Sequence, residues 1–599
     1  MAKTSVRGPE PVEVTSDQNL TTRMWERADS ASSREILRYH DGSDWRSVTW
    51  RDLAERVRRI AAGLIAVGIE PGDRVALMAS TRLEWALSDL AILAAGGVTV
   101  PIYETSSADQ CGWILKDAEV KVAIAELADH AKTLDTARET APDFGEIFVI
   151  EDDGLDALAE RADDSHADQV VLRAQALTTS DLASIIYTSG TTGNPKGCML
   201  THGNMVWTAR QAEVNLKQLF GPDDSTLLFL PLAHVLARVI LFGCLEADVQ
   251  LGFARSVDTL QEDLASYRPT FLLAVPRVFE KVFNGAQRKA EGAKRKVFDF
   301  AVSTGEQWST AVNEGRDPGL ATNLKKNVAD RLVYSKLRDG LGGRMSYCVS
   351  GGAPLAPYLA HFFHAAGVTI LEGYGLTETT GPAAVNMPDA MRIGTVGQPL
   401  SGVEIRIADD SEILIRGGNV FQGYFNNDKA TREVLDDDGW FSSGDLGELD
   451  DDGFLKITGR KKEIIVTAGG KNVAPAVLEE RLKAHRLVSQ AMVVGDNRPF
   501  IAALVTLDPD ELAAYAKEEG LSGSTAAQLN DDPKVQAEVQ KAVERANTAV
   551  SKAESIRKVV VLNRDFSEDE GELTPTLKVR RRDVHDHFTK EIEGLYAKQ

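Results

Sequence analysis

The sequence predicts an α/β fold with a large N-terminal domain of mainly parallel sheets, a small β-barrel-like part and a small α+β C-terminal domain. A chain of 599 residues exceeds one ordinary hydrophobic core, so two or more domains are expected. From about residue 48, short apolar runs alternate with helical patterns, which is the order of βαβ units. After about Gly394, short alternating segments with Asp-Gly turns indicate antiparallel hairpins.

Composition excludes several classes of protein. The net charge of −22 and the pI of about 5.0 argue against nucleic acid as a main partner. The four cysteines form no C-x-x-C pair, so neither a disulfide framework nor a zinc site is expected, and a reducing compartment fits. No apolar run approaches about 20 residues and no secretory h-region is visible. We expect a cytoplasmic protein, with peripheral membrane contact left open because a local basic or apolar patch is compatible with an acidic total.

The N-terminal part begins with polar residues and then becomes regular. Residues 1 to about 45 are weakly patterned and are expected to form an arm on the surface. Thr49 and Asp52 fit a capping box, and the apolar residues that follow recur at helical spacing. The next segments read as strand, helix and strand in repeated order: 75–78, 82–94, 98–102, 118–125, 128–137 and 147–150. This order predicts a parallel sheet.

Tyr187–Gly197, which reads TSGTTGNPKG after the tyrosine, follows an apolar strand at 182–186. Its glycines let backbone N–H groups approach an anion, its hydroxyl side chains add donors, and Lys196 adds a mobile positive charge. This composition suits the binding of a polyphosphate. The loop is not a Walker A motif, because Pro195 occupies the position where that motif needs glycine. A flexible surface loop is the alternative interpretation.

The middle of the chain continues the α/β pattern around a helical insertion. Strands are expected at 227–230, 271–275, 345–349 and 369–371, and a helix is expected from about 201 to 219. The segment from 280 to about 340 is lysine-rich and helical in pattern, as in a surface insertion with a solvated face.

The C-terminal third changes character twice. Short strands at 403–407, 412–416, 446–449 and 454–457 surround the turn Asp451-Asp-Gly453 and form the barrel-like part. The sequence Gly459-Arg-Lys-Lys462 is the expected boundary, which divides the chain into 1–459 and 460–599. Beyond it, a helix at 475–485 and strands at 491–494, 500–507 and 559–562 predict a compact α+β domain.

Several ordered motifs together resemble those of one family. They are Tyr187-TSGTTGNPKG, Leu230-PLAH234, Ser350-GGAP354, Tyr374-GLTE378, Ser443-GDLG447, Gly459-RKKEI464 and Thr574-PTLK578. The chain resembles the adenylate-forming (acyl-activating) superfamily from about residue 48 to its end, and within it the long-chain fatty acyl-CoA synthetases. The segment 438–462 is also similar to the extended signature of those synthetases.

The resemblance implies a reaction in two halves. A fatty acid carboxylate attacks the α-phosphate of ATP to give acyl-AMP and pyrophosphate, and the thiol of CoA then displaces AMP. Mg²⁺ is the implied cofactor, ATP and CoA are the co-substrates, and the small C-terminal domain is implied to be mobile. The first half brings an anion to an anion, so it needs cations and N–H donors around the phosphates.

The resemblance also assigns roles to individual residues. Lys578, His234 and Lys196 are the catalytic candidates, Lys462 is the hinge candidate, and Glu378 is the metal ligand, with Thr188 as a weaker second contributor. The candidates for binding ATP and AMP are Thr188, Ser189, Gly190, Thr191, Thr192, Gly193, Lys196, Gly351, Gly352, Glu372, Gly373, Tyr374, Thr377, Asp445 and Arg460. The candidates for lining the CoA entry in a rotated form are Gly469, Gly470 and Lys471.

The acyl pocket is expected between the 230–245 helix and the region of Gly375. Val235, Leu236, Val239 and Leu241 either line it or belong to the core. One bacterial branch of the family carries a tryptophan gate four residues after the histidine, and Arg238 stands at that position here. The gating mechanism is therefore left open.

Alternatives remain for the function and for single residues. A fatty acyl-AMP ligase that loads a carrier-protein thiol shares the first half-reaction. A catalytically silent binding module is disfavoured because Lys196, Glu378, Asp445 and Lys578 are all retained. Outside these motifs, Glu378 reads as a surface residue, Asp445 as an Asx-turn residue and Tyr374 as a core aromatic.

Overall fold

A computed structural model describes residues 3–42, 44–141, 143–188, 194–290, 292–574 and 577–597. Five predicted nucleotide-binding residues, 189 to 193, lie outside these ranges.

The strands of the described chain are β1 Ser5–Arg7, β2 Glu35–Asp41, β3 Asp44–Thr49, β4 Arg74–Met78, β5 Val98–Ile102, β6 Val120–Ala125, β7 Ile147–Val149, β8 Leu182–Thr188, β9 Lys196–Thr201, β10 Ser225–Leu228, β11 Gln250–Phe253, β12 Phe271–Ala274, β13 Tyr347–Ser350, β14 Thr369–Leu376, β15 Gly381–Val385, β16 Gln398–Pro399, β17 Glu404–Ile407, β18 Glu412–Arg416, β19 Gly423–Tyr424, β20 Phe441–Leu449, β21 Leu455–Arg460, β22 Ile465–Val466, β23 Asn472–Val473, β24 Val488–Val494, β25 Ile501–Leu507 and β26 Ile556–Val561.

The helices of the same residues are α1 Thr22–Ser30, α2 Trp50–Ala66, α3 Leu83–Ala94, α4 Ala108–Asp117, α5 Ala128–Thr136, α6 Gly154–Ala159, α7 Asp164–Ala176, α8 His202–Asn215, α9 Val235–Ala247, α10 Leu260–Tyr267, α11 Pro276–Arg288, α12 Ala293–Asn313, α13 Gly319–Ala329, α14 Ser335–Gly340, α15 Pro357–Ala365, α16 Asp428–Val434, α17 Pro475–Lys483, α18 Pro509–Glu519, α19 Ala526–Leu529, α20 Pro533–Asn547, α21 Arg581–His587 and α22 Thr589–Tyr596. Within the described ranges, no helix is both long enough and apolar enough to cross a membrane.

Two sheets that are mainly parallel form the body of the large domain, as the alternating pattern predicts. One has the order β16-β15-β14-β13-β12-β10-β11-β2-β3, with parallel pairing from β14 through β2. The other has the order β19-β9-β8-β5-β4-β6-β7, with parallel pairing from β8 through β7. The barrel-like part is an antiparallel sheet in the order β1-β17-β18-β20-β21. The small domain contributes the sheet β24-β25-β26.

The start of the chain is more integrated than its composition suggests. The predicted surface arm is wrong for residues 5–7 and 22–41, because β1 pairs with β17, and β2 joins the first parallel sheet. Met24, Ile36 and Leu37 are buried in the core. The apolar runs in these segments are short and separated by polar residues, so the sequence shows no clear helical or strand period there.

Helix α2 begins as its sequence predicts. The Thr49 hydroxyl accepts from the Asp52 N–H, and the Asp52 side chain accepts from the Thr49 N–H, which closes the capping box.

The 280–340 segment is also helical as predicted, from α11 to α14. Its face toward the body is not solvated, however, because Phe283, Phe298 and Tyr334 are buried against α15.

Separate hydrophobic cores stabilise the two parts of the chain. The apolar clusters of the large part run from Leu20 to Leu455, and those of the small part run from Ile465 to Ile592. The predicted division after residue 459 lies between them. All four cysteines are free and buried.

A fully buried ion pair joins the two parallel sheets through α9. The Arg238 guanidinium donates to both Asp89 carboxylate oxygens at 2.8 and 3.2 Å and to the Ser184 hydroxyl at 2.6 Å. The Thr99 hydroxyl donates to the same carboxylate at 2.7 Å. Arg238 is therefore held inside the protein, and it does not stand where a gating side chain would act.

We expect Asp89→Ala to destabilise the large domain by about 3–5 kcal/mol, because it leaves the Arg238 charge buried without its partner. Urea unfolding followed by tryptophan fluorescence measures this as a lower transition midpoint. Asp41→Ala, which breaks an exposed pair with Arg46, is the matched control and is expected to change the midpoint little. Equal midpoints for the two variants would contradict the role of the buried pair.

Candidate active site

A cleft of about 1890 Å³ lies between the large and the small domain. Its wall in the large domain is formed where β12, β13 and β14 end, which is the edge of a parallel sheet where ligands bind in α/β folds. The cleft brings together the predicted residues Thr188, Lys196, His234, Gly351, Gly352, Glu372, Gly373, Tyr374, Thr377, Glu378, Asp445, Arg460, Lys462 and Lys578. Gly469, Gly470 and Lys471 are not among its described lining residues.

Asp445 is fixed by two neighbours. The Tyr374 hydroxyl donates to Asp445 Oδ2 at 2.7 Å, and Arg460 Nε lies 3.2 Å from Asp445 Oδ1. Arg460 is the cross-strand partner of Asp445 in the β20–β21 pair, which explains its position. Burial raises the pKa of Asp445, while Arg460 and Tyr374 act to lower it. The result is an oriented carboxylate beside an aromatic ring, suited to accept two vicinal hydroxyl groups.

Glu372 holds the loop that follows β13. Its carboxylate accepts the N–H of Leu355 at 2.9 Å, and burial raises its pKa to about 8. Gly352 in the same loop has φ +83°, a conformation that disfavours a side chain. A Cβ atom there would lie in ordinary contact with Lys578 Cε at 4.0 Å, so the backbone conformation, and not a lack of space, favours glycine.

His234 caps helix α9 at the edge of the cleft. Its Nδ1 accepts the N–H of Leu236 at 3.1 Å, so the neutral ring carries its proton on Nε2. Burial lowers the pKa of His234 to about 3, and the charge of Lys578 contributes to this shift. A neutral imidazole N–H at a helix N-terminus is a donor suited to an anionic oxygen.

Lys578 enters the cleft from the small domain. The Thr574 hydroxyl accepts the Lys578 N–H at 3.0 Å, the Thr574 N–H donates to the Lys578 carbonyl, and Leu577 has φ +60°. These contacts place the Lys578 side chain in the cleft. Desolvation there lowers the pKa of Lys578, and the nearby Arg460 charge lowers it further.

Glu378, Tyr424 and Lys196 form the other end of the polar cleft. The Tyr424 hydroxyl donates to Glu378 Oε1 at 2.8 Å, and Lys196 Nζ lies 4.8 Å from the centre of the Tyr424 ring. Thr188 ends β8 next to Lys196, its partner in the β8–β9 ladder. Tyr424 was not predicted, because its place depends on the two-residue pairing of β19 with β9.

The donors at this end fit a magnesium ion that is shared with a polyphosphate. The described residues contain no group of three or more His, Cys, Asp or Glu side chains able to hold a metal by themselves. Glu378 instead offers a single carboxylate, held by Tyr424 and facing the cleft. Mg²⁺ commonly binds through one or two carboxylates together with phosphate oxygens and waters.

An apolar branch continues from the polar cleft into the large domain. It is lined by Ala212, Leu216, Phe220, Val235, Leu236, Val239, Ile240, Phe271, Leu273, Val349, Val385, Val396 and Leu400. The sequence left open whether four residues of α9 line the pocket or belong to the core. In the structure Val235, Leu236 and Val239 line the branch, whereas Leu241 does not line it and lies in the core. The helical period explains this, because Leu241 lies about 200° around α9 from Val239.

The branch runs along β12 from its active-site end to its far end. Leu273 and Phe271 alternate onto the same face of this strand and both line the branch. The Phe271 ring packs against Phe220 at a centroid distance of 5.5 Å. The pocket therefore has a polar end at His234 and an apolar aromatic end, as an amphiphilic substrate requires.

Ion pairs hold the small domain over the cleft. Arg277 on α11 lies 3.0 Å from Asp508, and Arg288 on the same helix lies 2.8 Å from Glu511, which is almost fully buried. The two arginines are about three helical turns apart and share one side of α11. Thr105 adds a hydrogen bond to Glu568 at 2.5 Å. The sequence did not predict these contacts, because α11 reads only as a charged helix.

The protein has two α/β domains, and Lys578 of the small domain closes a cleft suited to bind anions. These features define the class of a nucleotide-dependent enzyme. The family model "AMP-binding enzyme" matches residues 24–425, and the model "AMP-binding enzyme C-terminal domain" matches residues 462–599. The chain belongs to the family of AMP-binding, adenylate-forming enzymes.

Named relatives and solved structures agree with this assignment. The chain is 47% identical over 596 residues to the long-chain-fatty-acid–CoA ligase FadD15 of Mycobacterium bovis, covering 99% of both chains. It is 33% identical to the long-chain-fatty-acid–CoA ligase ACSBG2 of Xenopus laevis, over 93% of this chain and 80% of that one. The adenylation domain of a carboxylate reductase from Mycobacterium chelonae has the same fold, with a TM-score of 0.76, 23% identity and coverage of 97% and 91%.

We expect the double variant Arg277→Ala/Arg288→Ala to loosen the small domain, because it leaves Glu511 buried without its partner. Hydrogen–deuterium exchange should rise at the 459–463 connection and around Lys578. The open population is expected to increase about tenfold, which corresponds to about 1.4 kcal/mol.

Arg59→Ala is the matched control, because Arg59 pairs with Asp156 on the exposed surface of the large domain. Its exchange at the connection should equal that of the wild type. If the double variant also exchanges like the wild type, the α11 ion pairs do not hold the domain.

Proposed function

We propose that this protein is an ATP-dependent long-chain fatty acid:CoA ligase that forms acyl-AMP and then acyl-CoA, with release of pyrophosphate and AMP. The observation that carries the proposal is one continuous cleft that joins cationic and ribose-binding groups to a long apolar branch. Such a cleft suits a substrate with a carboxylate head and an alkyl tail. The names of the full-length relatives support the same substrate class.

In the first half-reaction, a carboxylate oxygen of the fatty acid forms a bond to the α-phosphorus of ATP. The bond to the β-phosphate bridging oxygen breaks, and its electron pair leaves with pyrophosphate. Lys578 bridges the carboxylate and the α-phosphate, and the Nε2 proton of His234 stabilises charge on the same oxygens. Lys196 and the loop that follows Thr188 bind the departing pyrophosphate. These groups act by electrostatic stabilisation, because two anions must meet.

The nucleotide is oriented by the groups around Asp445. This carboxylate accepts the two ribose hydroxyls, and Arg460 supports it from the neighbouring strand. The adenine lies against the glycine-rich wall and the Tyr374 ring. The remaining residues of this nucleotide site are Gly351, Gly352, Glu372, Gly373 and Thr377.

Glu378 and Thr188 would hold Mg²⁺ together with phosphate oxygens and water. When bound, the ion neutralises phosphate charge as it develops in the transition state. Tyr424 keeps the Glu378 carboxylate turned toward the cleft, so this side chain does not have to be ordered when the nucleotide arrives.

The second half-reaction requires Lys578 to leave, because a thiol must reach the acyl carbonyl carbon. We infer that the small domain, residues 460–599, rotates about Lys462 and withdraws the lysine. The thiolate sulfur then bonds to the carbonyl carbon, and AMP departs with the electron pair of the acyl–phosphate bond. Gly469, Gly470 and Lys471 lie on the β22–β23 hairpin of this domain and line the CoA entry after rotation.

The product identifies the acceptor. We expect the protein to convert palmitate, ATP, Mg²⁺ and free CoA to palmitoyl-CoA, AMP and pyrophosphate, as detected by liquid chromatography and mass spectrometry. A panel of fatty acids should show a preference for long chains, because the apolar branch reaches the far end of β12. Accumulation of acyl-AMP with no acyl-CoA until a carrier protein is added would assign the enzyme to the carrier-loading class.

Lys578→Ala should separate the two half-reactions. We expect fatty-acid-dependent ATP–pyrophosphate exchange to fall about 10²–10³-fold, the usual effect of losing one preorganised donor. Conversion of supplied acyl-AMP and CoA to acyl-CoA should stay within a few-fold of wild type, since Lys578 is withdrawn in that step. Lys590→Ala on exposed α22 is the control. An equal loss of both activities would refute the proposed domain rotation.

A further inference from the structure

Helix α13 and the turn after it expose a row of large apolar side chains. The exposed fractions are 91% for Leu320, 67% for Leu324, 44% for Val328 and 48% for Leu332. A spacing of four residues places them along one side of the helix, over a length of about 18 Å. We call these four residues the α13 stripe. Continuous exposed apolar surface of this kind marks a site of interaction.

The opposite side of this segment is firmly packed, so the exposure is not a loose helix end. Ala329 and Tyr334 are fully buried, and the Tyr334 hydroxyl donates to the Ala301 carbonyl of α12 at 2.6 Å. Trp308 Nε1 of α12 donates to Asn323 at 3.0 Å. The fold thus holds the helix in one orientation and directs the stripe outward.

Positive charges flank the stripe. Lys325, Arg331 and Lys336 are exposed, and none lies within ion-pair distance of an acidic residue in the described ranges. The nearest acidic side chain on this segment, Asp330, is already paired with Arg338 at 2.7 Å. Unpaired cations beside an apolar row stand out in a chain with a net charge of −22. They are complementary to an anionic surface with an apolar interior.

Helix α13 packs on a helix that reaches the cleft. Helix α12, which carries α13 on one side, contributes Glu306 to the cleft lining. Asn313 at the end of α12 accepts the Ile393 N–H at 3.0 Å, and the following residues Gly394 to Val396 also line the cleft. Helix α12 therefore contacts both α13 and the cavity.

We propose that the α13 stripe docks the protein onto an anionic lipid bilayer, with the helix lying in the plane of the interface. The apolar side chains enter the headgroup boundary, and the flanking lysines and arginine contact lipid phosphates. The acidic remainder of the surface is repelled, which fixes the orientation of the molecule. Given the proposed function, this orientation places the cavity next to the phase in which long-chain fatty acids dissolve.

Vesicle co-sedimentation of the full chain, without ATP or CoA, tests the docking. We expect binding to vesicles of phosphatidylcholine with 30% phosphatidylglycerol, and at least tenfold weaker binding to phosphatidylcholine alone or in 1 M salt. Leu320→Ser/Leu324→Ser should reduce binding at least tenfold, and Lys325→Gln/Lys336→Gln should abolish the preference for the anionic lipid. Leu172→Ser, at a leucine of α7 that is 65% exposed, is the matched control.

Wild-type protein that stays in the supernatant, or an Leu320→Ser/Leu324→Ser variant that binds as wild type does, would overturn the proposal. A mass of twice 65.0 kDa in light scattering for wild type, with a monomeric stripe variant and no vesicle binding, would show that a second copy covers the stripe. The stripe variant should retain acyl-CoA synthesis from a fatty acid supplied in solution. Failure of the proposed function would instead remove that activity from the wild type and leave vesicle binding intact.

Discussion

Lys578 belongs to the small domain, yet its side chain lines the cleft together with residues of the large domain. Under the proposed function, this single side chain links the chemistry to the arrangement of the domains. Burial in the cleft lowers the pKa of Lys578. The backbone of this lysine is part of the small domain, whereas the groups around its side chain are largely those of the large domain. Arg277 and Arg288 of the large domain attract acidic side chains of the small domain across the interface. Such pairs are suited to a reversible contact, because they hold two surfaces together without the large apolar burial of a permanent interface.

The opposite wall of the cleft is held rigidly by the large domain. His234 sits at the N-terminus of α9, and the same helix is anchored one turn later by Arg238 in the buried pair with Asp89. A charge pair with this many hydrogen bonds fixes the helix in position and rotation, because any shift would strip the guanidinium of partners in a medium without water. Under the proposed function, Lys578 would therefore meet a rigid site on the large domain, which is what preorganised catalysis needs.

The sequence predicted those parts of the molecule that depend on local pattern. The βαβ order and the capping box of α2 follow from short-range signals, whereas the residues that meet in the cleft were assigned from the resemblance of several ordered motifs to one family. It did not predict Tyr424, because the two residues of β19 pair with a strand more than 200 positions earlier. It left Leu241 open between pocket and core, because core and pocket residues of a helix that is apolar on all sides differ only in their rotation around the helix axis. The role of Arg238 was also left open by the sequence, since only the fold brings Asp89 and Ser184 next to it.

Two groups of cations stand out against the acidic charge of the whole chain. The chain has 89 acidic and 67 basic residues, yet the polar cleft gathers Lys196, Arg460, Lys462 and Lys578. Cations gathered at the polar end of a cleft, in a chain that is acidic overall, favour the binding of anionic groups at that end. The cations beside the α13 stripe are a second exception, on the outside of the molecule. If the proposed docking holds, the protein uses one cationic region for the phosphates of its nucleotide and the other for the phosphates of a lipid surface.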